Sequence, residues 1–307
     1  MKMNAIEIRG LSKSFRGMYA VNGLNMTVPV GSIYGFIGEN GSGKSTTEKI
    51  ICGLIRPNGG QVKLFGKDYT NEDVRARVGV LIEAPGCFPN YSVWNNLMLQ
   101  AANLSIPNAE EAVRTVLKTV RMEGAAGNKF KNCSLGMKQR IGIAMALLGE
   151  PVLLVLDEPI NGLDADGMRI MREVLTDVTQ TRGCTVVVSS HILGELEKIA
   201  THYGIIRGGK MIKEMTAAEL DASCRRYVAL QANDMQKAKT VLSLQYSRVE
   251  EDENGYLRVY DAESPEAIVT YLYEKGVLIT EIKTDKIGLE EYYIDLMKEG
   301  NRYANAI

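Results

Sequence analysis

Apolar and polar positions alternate in short runs at the start of the chain. Ala5 to Phe15 and Ala20 to Val28 predict two antiparallel strands. Ile33-Tyr34-Gly35-Phe36-Ile37 is a continuous apolar run, the pattern of a strand buried on both faces. From Lys44 to about Gly53 the pattern becomes helical, and Val62 to Phe65 and Val78 to Ile82 are further short strands. Between Val93 and about Leu148 the text reads as helix. There Asn108 is expected to N-cap a helix with Glu110 and Glu111 in its first turn and a stripe of Ala112, Val113, Val116, Leu117 and Val120 as core. Val152 to Leu156 is a second continuous apolar run and ends in Asp157-Glu158. A helix from Asp166 to Arg182, a buried strand from Thr185 to Ser190 and a hairpin from Tyr203 to Ile212, turning at Gly208-Gly209, complete the pattern.

Beyond about residue 215 the character changes. Arg226 to Ala232, Tyr256 to Tyr260 and Val277 to Ile282 predict strands; Ala238 to Leu244, Glu266 to Tyr273 and Leu289 to Met297 predict helices. The order β-α-β-β-α-β-α suggests a small α+β domain of split-βαβ type. The expected division is therefore an α/β domain over 1–215, with an antiparallel β subdomain and a helical insertion near 85–150, followed by an accessory α+β domain over 216–307.

A chain of 307 residues with 45% hydrophobic composition allows a real core in each part. The net charge of −1 leaves no global basic field to draw nucleic acid or an anionic membrane. Five scattered cysteines without C-x-x-C spacing read as reduced thiols. The N-terminus shows no apolar signal segment, and no window approaches the roughly 18 apolar residues of a membrane helix. If the protein serves a membrane process, another chain does the spanning.

The stretch around which the chain is organised is Gly38-Glu39-Asn40-Gly41-Ser42-Gly43-Lys44-Ser45-Thr46, which satisfies G-x-x-x-x-G-K-[ST]. It follows the strand at 33–37 and opens a helix. Glycines let backbone N–H groups curl around a polyphosphate, and the helix N-terminus adds its dipole. Lys44 would reach the β- and γ-phosphates and Ser45 would ligate Mg²⁺. This loop alone does not separate kinase, GTPase and ATPase. Downstream, Asp157 stands at a strand's C-terminal end, where ligands bind in open α/β sheets; it would hold Mg²⁺, and Glu158 would polarise an attacking water as general base.

With these two elements in sequence, the chain resembles the nucleotide-binding subunits of ABC transporters over about residues 4–215. The resemblance implies a P-loop NTPase fold, binding of ATP with Mg²⁺, and ATP hydrolysis coupled to transport. Glu158-Pro159-Ile160-Asn161-Gly162-Leu163-Asp164 is similar to the family's segment from Walker B to the D-loop, which makes Asp164 the D-loop aspartate facing a partner subunit. His191, after Ser189-Ser190, matches the switch histidine that contacts the γ-phosphate; His202 matches nothing and is read as structural. Phe15 is similar to the aromatic that stacks on adenine, or else it is a core residue at a strand end, with Tyr19 as fallback. Cys133-Ser134-Leu135-Gly136-Met137-Lys138-Gln139-Arg140 occupies the signature position, matching at Ser134, Gly136, Gln139 and Arg140. The family uses this loop to cap ATP on the opposite subunit. That implies a dimer of nucleotide-binding subunits, likewise a homodimer here, with Ser134 and Gly136 acting in trans.

Glu83 stands where the family's Q-loop carries glutamine. That resembles the bacitracin and lantibiotic resistance exporters, and the signature and extra C-terminal domain fit the same branch; the plainer reading is a tolerated local change. A carboxylate there would lie near Mg²⁺ as a metal-binding candidate. The resemblance thus implies a cytoplasmic ATPase subunit, peripheral on the inner face of the cell membrane through a separate permease, exporting antimicrobial peptides or related compounds. Phe88, Tyr91 and Trp94 are exposed-aromatic candidates for the permease contact, with hydrophobic fill of the helical insertion an equally good reading. The alternatives are an import ATPase and a soluble ABC ATPase acting on ribosomes or DNA. One P-loop, no sustained heptads and no basic surplus argue against the last, and no nucleic-acid partner is expected.

Overall fold

The computed structural model describes residues 3–304 except 225, 261 and 263. Strands β1 (Asn4–Phe15) and β2 (Met18–Pro29) form a long antiparallel pair. Arg16 and Gly17, both in left-handed backbone conformation, make its two-residue turn. β1 pairs on its other side with β4 (Gly59–Leu64), which carries β5 (Lys67–Asp68), so the first sheet is antiparallel throughout.

The second sheet runs β10-β9-β3-β8-β7-β6. Its strands β3 (Ile33–Ile37), β6 (Val78–Leu81), β7 (Leu153–Leu156), β8 (Thr185–Ser190) and β9 (His202–Arg207) are parallel, and β10 (Lys210–Thr216) is an antiparallel edge. Every residue of β3, β7 and β8 is buried, the reason their sequences are unbroken apolar or small-polar runs. Helix α1 (Lys44–Ile51) lies between the two sheets. Its Ile50 and Ile51 join Ile6, Leu24 and Leu64 of the first sheet and Phe36 and Val155 of the second in one core. The short helix α2 (Glu72–Arg75) precedes β6.

The stretch predicted as helical over 93–148 is broken into α3 (Val93–Asn103), α4 (Ala109–Thr119) and α5 (Leu135–Leu147), with two 3₁₀ turns at Glu123–Ala125 and Phe130–Asn132. Pro107 removes a backbone donor between α3 and α4, and side-chain caps at Ser92 and Ser134 restart α3 and α5. Asn108 takes the N-cap place of α4, but with left-handed backbone and no side-chain hydrogen bond, so it does not cap in the expected manner. Of the three aromatics, Trp94 follows the reading as fill of the insertion rather than that of an exposed contact. It is half-buried beneath the Arg114 guanidinium at 5.3 Å, whereas Phe88 and Tyr91 are exposed and pack together. The unit ends with α6 (Ala165–Arg182), α7 (Leu193–Glu197) and the β9–β10 hairpin.

The chain divides into two compact units, 1–217 and 218–307. After α8 (Ala217–Ser223), the second unit contains β11 (Arg226–Ala232), α9 (Met235–Gln245), β12 (Val249–Glu251), β13 (Leu257–Val259), α10 (Pro265–Glu274), β14 (Ile279–Lys286) and α11 (Leu289–Ala304). Its sheet order is β12-β13-β11-β14 with all pairs antiparallel, a split-βαβ arrangement. Val228, Leu230, Leu257 and Val259 on one sheet face meet Ala238, Leu242, Ile268 and Leu272 of α9 and α10, which gives this unit its own core. Among the described residues, no helix is long and apolar enough to cross a membrane.

Candidate functional site

A cavity of about 620 Å³ opens at the C-terminal ends of the parallel strands, where α1 begins. Phe15, Asn40, Gly41, Gly43, Lys44, Ser45, Thr46, Glu83, Asp157 and Glu158, all site candidates from the sequence, line it. Ala20, Leu135, Gln139, Asn161 and Gly162 complete the wall.

The loop geometry explains its glycines. A side chain on Gly43 (φ 110°) would start 2.5 Å from the Ala20 carbonyl oxygen, and one on Gly38 would meet Ser42 Oγ at 2.5 Å and the Ile206 carbonyl oxygen at 2.6 Å. The β9–β10 hairpin braces the loop from outside, since Gly209 N–H donates to the Ser42 carbonyl at 2.8 Å. Gly43 offers no side chain to cap α1, and no acidic residue occupies the first turn, so the leading N–H groups face the cavity end of the helix without a competing anion. Ser42 Oγ is buried without a partner. Lys44 is buried and donates to the Gly38 carbonyl at 2.6 Å and to that of Glu39 at 3.2 Å, folded over the loop. A cradle closed to side chains, a helix N-terminus and an ammonium at its centre fit a polyphosphate; a hydroxyl and a carboxylate, Ser45 and Asp157, fit a hard cation.

The carboxylates are held by β8. Ser189 Oγ donates to Asp157 Oδ1 at 2.9 Å and accepts from Glu158 N–H at 3.1 Å. Glu158 adopts left-handed backbone (φ 50°), a strained state for a residue with a side chain, and its carboxylate lies 3.8 Å from Lys44 Nζ and 2.7 Å from His191 Nδ1. His191 therefore reaches the site through Glu158 without itself lining the cavity. Sequence reasoning used Ser189 only to locate His191; its role as the clamp on both carboxylates needed the β7–β8 register.

Glu83, also in left-handed backbone (φ 66°), turns its carboxylate to Lys49 Nζ at 2.7 Å. That hydrogen bond and charge hold the Glu83 carboxyl below the usual carboxylate range. Lys49 escaped the sequence reading, although its place one turn after Ser45 on α1 was legible. Tyr19 is exposed on β2 and does not line the cavity, whereas Phe15 does, with Lys13 Nζ 5.1 Å from its ring centre.

Ser134, Gly136 and Asp164 lie outside the cavity lining. Ser134 Oγ caps α5 through Met137 N–H at 3.3 Å, and Asp164 Oδ1 caps α6 through Gly167 N–H at 2.8 Å. The loops bearing them interlock: Gly162 sits under Leu135, whose Cδ2 is 2.8 Å from where a Cβ would be, and Leu163 reaches Gly136. The sequence also hid Glu48, fully buried on α1, whose oxygens make no hydrogen bond of ordinary geometry. Burial, with Asp157 adding to it, pushes the Glu48 carboxyl well above the usual carboxylate range.

Comparison with known proteins finds relatives of the chain. The family described as ABC transporter matches residues 21–161. The bacitracin transport ATP-binding protein BcrA of Bacillus licheniformis is 35% identical over 300 residues, covering 96% of this chain and 98% of that protein. Its namesake from Enterococcus faecalis is 36% identical over 96% of this chain and 97% of its own length. The lantibiotic transport ATP-binding protein SrtF of Streptococcus pyogenes is 38% identical over 68% of this chain and 90% of its own. Among solved structures, cbiO1 of Clostridium perfringens superposes with a TM-score of 0.66 at 25% identity, covering 72% of this chain and 92% of that one. A dimeric ATP-binding cassette with ADP and Pi bound shares the fold, with a TM-score of 0.64 at 22% identity over 69% of this chain and 98% of its own.

Proposed function

Because the chain belongs to the ABC transporter family, we propose that it is the ATP-hydrolysing subunit of a membrane exporter for antimicrobial peptides of the bacitracin and lantibiotic kind, working on a separate permease. The observation that carries this is the extent of the match to bacitracin transport ATP-binding proteins, which runs through the second unit as well as the first.

The roles follow from the geometry. ATP enters with its phosphates in the loop of Gly38 to Thr46, where Lys44 exchanges its carbonyl partners for phosphate oxygens, and Phe15 at the cavity edge offers its ring to the base. Ser45 and Asp157 would hold Mg²⁺, which when bound neutralises charge on the β- and γ-phosphates. Glu158 takes the proton of the attacking water, its carboxylate aimed by the Ser189 clamp and by His191. His191 Nδ1 holds Glu158, which leaves the far ring edge to meet the γ-phosphate. Ser134, Gly136 and Asp164, which do not line this cavity although Leu135 between the first two does, serve a second copy of the chain. Glu83, tied to Lys49 on α1, links the phosphate site to the loop ahead of Phe88 and Tyr91 and acts in coupling to the permease. The difference in ATP affinity between open and closed dimers supplies the work. The subunit thus sits on the cytoplasmic face of the membrane through its permease.

The test pairs two measurements. Purified protein should release phosphate from ATP only with a divalent cation, and cells expressing the chain with its permease should tolerate more bacitracin or lantibiotic than cells with the Lys44→Ala variant. Phosphate release without any change in tolerance would retain the ATPase and remove the peptide exporter.

A further inference from the structure

The mechanism leaves Glu48 without a task, and its surroundings are unlike those of any other carboxyl in the molecule's described residues. It stands on α1 three residues after Ser45, a spacing that puts the two on neighbouring positions of one helix face. It is fully buried, and its oxygens lie against Asp157 and Ser189 without a hydrogen bond of ordinary geometry to either. Asp157 and Ser189 are its polar neighbours, and Ser189 is already engaged, donating to Asp157 and accepting from Glu158 N–H. Lys44, one helical turn back, is turned toward the loop carbonyls and Glu158. A carboxyl in this state is costly, and native proteins keep such groups where an ion or a reaction completes them. Two carboxyls crowded under a serine hydroxyl are the oxygen donors that a small hard divalent cation selects.

We propose that Glu48 is a further oxygen donor, direct or through one water, to the divalent-cation centre at the phosphate site, alongside Ser45 and Asp157. The inference rests on the reading of the cavity as a Mg²⁺–nucleotide site. It adds that this chain draws on three oxygen side chains for its cation, and that the third comes from α1 behind the cavity wall, which Glu48 does not itself line.

The full-length protein tests this through binding alone, with Mn²⁺ as a paramagnetic stand-in for Mg²⁺ and ADP as nucleotide. In Glu48→Gln, Mn²⁺ affinity in the presence of ADP should fall about tenfold, the scale set by groups that support a metal. ADP affinity in excess chelator should hold. A purely structural role would weaken both together. Glu48→Leu should reproduce the loss of Mn²⁺ affinity, with a thermal midpoint no lower than that of the parent, because a buried carboxyl without ordinary hydrogen bonds has been removed. Mn²⁺ affinity within threefold of the parent in both variants would overturn the proposal, as would parallel loss of metal-free ADP binding or failure of both variants to fold. If the parent protein itself shows no ADP-dependent Mn²⁺ binding, the underlying site assignment falls too, an outcome distinct from one confined to Glu48.

Discussion

At the scale of single residues, Glu158 and Glu83 show how context divides two carboxylates between tasks. Glu158 is part-buried, strained in its backbone and gripped by Lys44 and His191, whereas Glu83 is exposed and paired with Lys49. Glu158→Gln keeps the size but removes the charge, so the phosphate-release rate should drop about 10²–10⁴-fold while equilibrium ATP binding persists. Full turnover in that variant would remove Glu158 from the role of base. For Glu83, the lowered folded-state pKa means that the pair with Lys49 is complete above the ordinary carboxylate range and is lost only as pH falls through that lowered value. The pair is therefore ionic at neutral pH. Glu83→Gln should preserve most ATPase activity of the isolated subunit, and Glu83→Ala and Lys49→Ala should each impair peptide tolerance in cells more than hydrolysis in vitro. Severe and equal loss of both in all three would place Glu83 in the hydrolytic machinery.

At the scale of elements, the signature and D-loop segments are coupled by packing. Gly162 has φ 72° and lies under Leu135 of the signature segment. Gly162→Ala adds a left-handed alanine, about 1 kcal/mol of strain, and a collision with Leu135. ATPase activity should fall, and Leu135→Gly in the same chain should restore part of it; a double variant no better than the single would show that the contact is incidental. Ser134→Arg removes the cap of α5, a loss of about 1 kcal/mol, and puts a bulky cation where the opposite subunit's ATP would sit. Hydrolysis should be disabled, with ATP binding to the separated subunit nearly intact by equilibrium titration. If binding is lost as completely as in Lys44→Ala, Ser134 acts within its own chain.

At the scale of the whole molecule, the two units have independent cores, and every residue lining the nucleotide cavity lies in the first. Limited proteolysis should therefore cut first near α8, between 217 and 226, and leave two resistant fragments readable by mass. The larger fragment should still bind a fluorescent ATP analogue. Fragmentation that begins inside 1–217 would show that the first unit depends on the second for its stability.

The local text of the chain determined most elements, because buried strands must be apolar at every position and a phosphate loop must have glycine where a Cβ would strike backbone. Ile33–Ile37, Val152–Leu156 and the glycines of the loop were legible for that reason. The start of α4 at Asn108 was legible too, although its side chain makes no cap bond there; the breaks that divide the rest of the insertion into α3, α4, α5 and two 3₁₀ turns were not. What only the tertiary structure decided were partnerships between distant segments: Ser189 with Asp157 and Glu158, Gly209 with the phosphate loop, Lys49 with Glu83, Leu135 over Gly162. Glu48 is the clearest case. In the sequence it is one more acidic residue on an amphipathic helix; only the closing of two sheets around α1 excludes water from it and sets it beside Asp157. Periodicity records which face of an element is buried, not what that face meets, and meeting depends on strand order and register that no local pattern encodes.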